Sequence, residues 1–146
     1  MQYFSISELE RSDMAVARGI KNTAPEEIRE NMRLLTERVL DPAREAFGHP
    51  IYVNSGYRSA KVNALVGGSA KSQHLSGCAA DLNTGSVDGN RRLAKLIVEL
   101  DLPFDQLIDE KSYSWVHVSH NPNGPQRHDI LRISRRKTIQ ITYDQL

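Results

Sequence analysis

The stretch SQHLSGCAAD, residues 72–81, sets His74 seven positions before Asp81 with only small, apolar or hydroxyl-bearing residues between them. A third side chain able to bind metal, His117, lies in WVHVS, residues 115–119. Two imidazole nitrogens and one carboxylate oxygen make a three-ligand zinc site. Its fourth tetrahedral position stays open to water, which is what separates a catalytic zinc from a structural one. The spacing alone is a weak signal, because a lone strand histidine is more often hydrogen-bonded or exposed and an aspartate there can cap a turn.

Strand alternation sharpens it. In AADLN (79–83), Ala79, Asp81 and Asn83 share one face, and in WVHVS Trp115, His117 and Ser119 share one face. If the apolar faces pack on helices, Asp81 and His117 point to one concave surface, and His74, just before a Ser-Gly turn, can fold over it. Asp109 and Glu110 in FDQLIDE (104–110) must point to opposite faces of a regular strand, and periodicity does not choose between them. Cys78 falls on the apolar face with Ala80 and reads as a small buried hydrophobe; no third group is in place to orient a Cys-His nucleophile. His49, His120 and His128 read as accessory or surface residues.

The elements that must hold these residues follow from period and punctuation. FSISELERS predicts a short helix capped by Ser5 or Ser7. A second helix starts with Pro25 at its first position, repeats Ile28, Met32, Leu35 and Val39, restarts or kinks at Asp41 before Pro42, and stops at Gly48. Ile51–Asn54 predicts a strand, SAKVNALVGG a helix capped by Ser59, and Asp88–Leu100 an amphipathic helix. CAADLNTG, FDQLIDE, SWVHVSH, HDILRIS and KTIQITYD read as strands. The class expected is α+β, one domain over 1–146, with an antiparallel sheet backed by helices.

Composition excludes several other functions. The 146 residues suffice for one core, and 19 basic against 18 acidic residues give a net charge of +1, with no excess for nucleic acid. Arg132, Arg135, Arg136 and Lys137 read as a solvated turn. One cysteine forbids an internal disulfide, and no apolar run approaches the ~20 residues of a bilayer span. The N-terminus MQYFSISELERSD lacks the pattern of a secretory signal, so synthesis in the cytoplasm and delivery by another route are expected. No membrane insertion and a monomer are expected.

SGYRS (55–59), SQHLSGCAAD, FDQLIDE and WVHVS occur in the order seen in zinc D-alanyl-D-alanine carboxypeptidases of the M15 peptidase family, and the chain resembles them from about Phe4 to Ser119. Ser72, His74, Gly77, Ala79 and Asp81 match the pattern S-x-H-x-x-G-x-A-x-D, and NTAPEEIRENMRLLTERVLDPAREAFG resembles a helix of the short, M15A-like forms common in phages and prophages. The resemblance implies a hedgehog/DD-peptidase-like fold, Zn2+ held by His74, Asp81 and His117, and a substrate carboxylate received by Arg58. It implies a further substrate contact from Ser72, beside which Gln73 is a second candidate, and it selects Glu110 as general base. EKSYSWVH is one residue longer between acid and histidine than in those forms, so Asp109 stays the fallback unless a hairpin bulge absorbs the insertion. The activity implied is hydrolysis of peptidoglycan stem peptides or cross-links, on the wall after release or from a phage particle. The rivals are a zinc-bound module that only binds wall peptides, as hedgehog-type domains suggest, and a metal-free cysteine hydrolase.

Overall fold

The computed structural model describes residues 1–146. Ser5 and Ser12 cap two short helices, α1 (Ile6–Glu10) and α2 (Asp13–Arg18), through side-chain oxygens that accept amide hydrogens of the first turn. At six residues, α2 is too short for hydrophobic period to reveal. The next helix runs through α3 (Glu26–Leu35), a π-helical turn over Thr36–Leu40, and α4 (Asp41–Phe47). Pro25 is the capping residue rather than the first helical one, with an extended ψ of 162° and a carbonyl that accepts from Ile28 and Arg29. Pro42 has the effect its missing donor demands. The π turn lets the Asp41 amide reach back to the Thr36 carbonyl, and the helix restarts at Asp41. Left-handed Gly48 ends it.

Six strands follow the order β1-β2-β4-β3-β5-β6. They are β1 (Tyr52–Ser55), β2 (Ala79–Asn83), β3 (Gln106–Glu110), β4 (Trp115–Ser119), β5 (Asp129–Ser134) and β6 (Lys137–Gln140). The pairs are antiparallel except β3 with β5, which corrects the expectation of an antiparallel sheet at that pair. The cause is connectivity. β4 ends where β3 begins, so a loop that rounds that end and starts β5 beside it must run β5 parallel to β3.

Ala80, Leu82, Leu107, Val116 and Val118 point from the strands into a buried cluster with Leu35, Val39, Ala43 and Phe47 of the long helix and Leu93 and Ile97 of α6 (Val87–Glu99). Each Val, Leu, Ile or Phe among them contributes ~1.5–3 kcal/mol when fully buried. The alternate positions, Asp81, Ile108, Glu110, Trp115 and His117, line a cleft on the other face. Left-handed Arg135 and Arg136 form the solvated tip between β5 and β6. Arg132 departs from that reading, because it bonds Asp109 and the Gln145 carbonyl.

Candidate metal centre

Register brings the first two residues together: Asp81 of β2 is directly opposite His117 of β4. His74 arrives from a 3-10 turn (Gln73–Ser76) that Ser72 caps and left-handed Gly77 closes. Gly77 has two reasons to lack a side chain. Its φ is +71°, and a Cβ there would lie 2.8 Å from Ile28 Cγ2 and Met32 Cγ. The turn is therefore pressed onto α3, and His74 is held against the sheet.

One oxygen, Asp81 Oδ1, is 3.3 Å from His74 Nε2 and 3.0 Å from His117 Nδ1, and the three donor atoms all lie within 4.8 Å of one another. Metal–ligand bonds of ~2.0–2.1 Å at a tetrahedral angle give ligand–ligand edges of about 3.3 Å, so the donor set matches a zinc-sized ion. The His74 tautomer strengthens the fit. Its Nδ1 lies 2.7 Å from the Gly56 carbonyl, which can only accept, so Nδ1 carries the proton and Nε2 presents a lone pair. Nε2 and the carboxylate oxygen can share one cation, either a proton or a metal ion. Burial drives the His74 pKa down, which favours the neutral imidazole a metal requires. Burial alone would raise Asp81, yet positive charge on the histidines beside it, when they are protonated, holds its carboxyl well below the usual range.

The second Asp81 oxygen, Oδ2, accepts from Arg58 Nη2 at 3.3 Å. Ser55 Oγ and Asn63 Oδ1 take Arg58 Nε and Nη1, and this fixes the guanidinium over the cleft floor. Three of its five N–H groups are engaged, which leaves two for a ligand. Its loop is fixed too: Asn22 bonds the Tyr57 carbonyl and the Ser59 amide, and a side chain at Gly56 would collide with the Leu9 backbone. The Gly56 carbonyl and the Ser55 and Asn63 side chains are supports that sequence reasoning did not name; α5 (Ala60–Leu65), capped by Ser59, carries Asn63.

Glu110 lines the same cleft of about 600 Å³ with Arg58, Ser72, Gln73 and the triad. Burial, then the nearby Asp81 charge, raises its pKa. Asp109 points to the opposite face and bonds the Tyr113 amide at 2.7 Å and Arg132 Nε at 2.7 Å. The longer hairpin leaves the strand register regular, with Glu110 opposite Trp115. The insertion is taken up in the turn instead of a bulge, through left-handed Lys111, Ser112 and Tyr113. Cys78 is buried, with its thiol pKa raised by burial, and lies outside the metal-binding group. His120 is buried rather than at the surface, between the Pro103 carbonyl and Arg38, so it has no access to the cleft chemistry. His128 and His49 are exposed, each edge-on to a phenylalanine.

Comparison with known proteins agrees with this geometry. A zinc D-Ala-D-Ala carboxypeptidase of Streptomyces albus G is 48% identical over 54 residues, which cover 36% of this chain. The match spans only 21% of that protein's length. A family model described as peptidase M15 matches residues 2–119, the segment that contains every residue of the His-Asp-His cluster as well as Arg58 and Glu110. On that match, the chain belongs to the peptidase M15 family.

Proposed function

We propose that this protein is a zinc-dependent peptidase that hydrolyses D-alanyl bonds in peptidoglycan stem peptides or their cross-links, as a single catalytic domain. The observation that carries the reading is the convergence of His74, Asp81 and His117, whose ligand atoms all lie within 4.8 Å of one another, in a cleft that also holds Glu110. Zinc bound by His74, Asp81 and His117 would supply Lewis acidity, bringing a water's pKa toward ~7 and polarising a carbonyl.

The rest falls to the chain's own side chains. Glu110 takes the proton of the attacking water and returns it to the leaving amine, and its raised pKa brings the carboxylate nearer the working pH of a general base. Arg58 receives a substrate carboxylate on its two free N–H groups and so fixes the peptide bond over the metal. Ser72 Oγ already accepts the His74 amide, which leaves its hydroxyl hydrogen for the substrate. Gln73 lines the cleft beside it.

The proposal includes action as a monomer, on the cell wall after release or from a phage particle in the manner of an endolysin. Nucleic acid and membrane insertion play no part in it, and no helix is long and apolar enough to cross a membrane. The test is incubation of zinc-loaded protein with purified peptidoglycan, followed by mass analysis of the products. Free D-alanine identifies a carboxypeptidase, and new peptide ends without it identify an endopeptidase. Intact peptidoglycan retained by zinc-loaded protein overturns the enzymatic reading in favour of a binding module.

A further inference from the structure

Arg127 belongs to the loop between β4 and β5, beyond the family-matched residues, yet it lines the same cleft as the metal-binding triad. Its guanidinium is fixed by a buried carboxylate. Asp105, whose side chain is only 3% exposed, accepts Arg127 Nε at 3.1 Å, Nη2 at 2.7 Å and the Arg127 backbone amide at 2.9 Å. Gln73 Nε2 donates to the same carboxylate at 3.0 Å, which ties this clamp to the segment that carries His74. Fastening the loop would need only the backbone amide. The Arg127 side chain remains 54% exposed, and Nη1 has no hydrogen bond, with Asp129 at 3.8 Å.

We propose that Arg127 is a specificity-determining residue that receives a second carboxylate of an acidic peptide whose terminal carboxylate Arg58 holds. This rests on the peptidase reading above and extends it along the substrate. Arg58 is anchored on Asp81 of β2, and Arg127 on Asp105, three residues before Ile108 of β3. Asp81 and Ile108 both pair with His117, so two strand spacings of ~4.8 Å across the sheet and three residues at ~3.3 Å along it separate the anchors. The backbones of the two anchoring aspartates are thus roughly 14 Å apart, a span of about four residues of extended chain at ~3.3–3.6 Å each. A peptide lying diagonally over the triad would place one carboxylate at each end.

The test compares two synthetic peptides with a free C-terminus, one with a carboxylate about four residues back and one with that group amidated. Kd is measured calorimetrically on zinc-loaded protein, and KM and kcat by product formation. Arg127→Gln is expected to weaken binding of the diacid about tenfold in Kd and KM with little change in kcat, and to affect the amide far less. Arg127→Lys, which keeps the charge, is expected to restore part of the preference for the diacid. Equal losses on both peptides, or none on either, overturn the proposal. Wild-type protein that cleaves neither peptide and also leaves peptidoglycan intact overturns the peptidase reading, while the two Kd values still decide the role of Arg127. Should Arg127→Gln fail to fold, by circular dichroism, the Lys variant carries the comparison, and a diacid preference in it no greater than its preference for the amide overturns the proposal.

Discussion

On the helix-packed face of β3, Asp109 commits both carboxylate oxygens to internal partners, the Tyr113 amide and Arg132. One residue on, across the sheet, Glu110 makes no ion pair and faces Asp81 in the cleft. The same contrast runs through β2 and β4. Leu82 and Val116 fill the core, while their neighbours Asp81 and His117 gather polar groups that have been taken out of water. A strand can therefore keep structure and chemistry one residue apart, because alternation isolates the two faces. The face that holds the fold has its charges paired; the face proposed for chemistry has a raised carboxyl and a cluster that could hold a metal ion.

The largest test of that contrast sets the two carboxylates against each other. Glu110→Gln keeps size but cannot accept a proton, so hydrolysis is expected to fall ~10²–10⁴-fold with zinc content and Tm held. Asp109→Asn is expected to do the reverse: turnover per folded molecule stays near wild type while stability drops by about 1–3 kcal/mol, because one buried donor loses its acceptor. Turnover lost in the Asn variant and kept in the Gln variant would put the base on the other face.

Metal removal comes next. A ligand at ~100 times its Kd adds about 2.7 kcal/mol to stability. A chelator should therefore lower the Tm of the wild type by several degrees and barely move His117→Ala, which lacks a ligand. Equal Tm responses to the chelator in both proteins would disconnect His117 from the metal.

The two faces were not equally legible in the sequence. Alternation in AADLN and WVHVS was enough to place Asp81 and His117 together, and register then made them direct partners. The Glu110 and Asp109 faces followed from the same period, although the turn that preserves them did not, since three left-handed non-glycine residues carry no compositional mark. Contacts made across long separations left no local trace. Arg58 on Asp81, Arg127 on Asp105 and His120 on Arg38 span 23, 22 and 82 positions, and each depends on loops whose paths only packing sets. The parallel β3–β5 pair was missed for the same reason, because it depends on where a loop turns rather than on any residue pattern.

Arg58→Lys probes the cleft face more gently. Lysine keeps the charge but cannot hold Ser55, Asn63, Asp81 and a carboxylate from one planar fork. The expected result is a rise in KM of about tenfold for peptides with a free terminal carboxylate and a smaller rise for amidated ones. A matching loss on both kinds of peptide would assign Arg58 to holding Asp81 rather than substrate.

The smallest effect expected is the acid response of the clamp under Arg127. Burial would raise the Asp105 pKa, but Arg127 and Gln73 outweigh it and hold the carboxyl below its ordinary value. A lowered folded pKa means that the unfolded chain takes up the proton first. The stability Asp105 contributes is therefore fully present above the unfolded value near 3.8 and is lost as pH falls through the lower folded one. Since Arg127 is half exposed, solvent screens the pair, and about 1 kcal/mol at neutral pH is the expected scale. For a chain of this length that is roughly 2–5 °C in Tm. Asp105→Asn should lower the Tm by that amount at pH 7, and the gap from wild type should close as the pH drops below 3.8. A gap that persists unchanged in acid would mean that Asp105 acts through shape and neutral hydrogen bonds, and that the Arg127 guanidinium is not held by its charge.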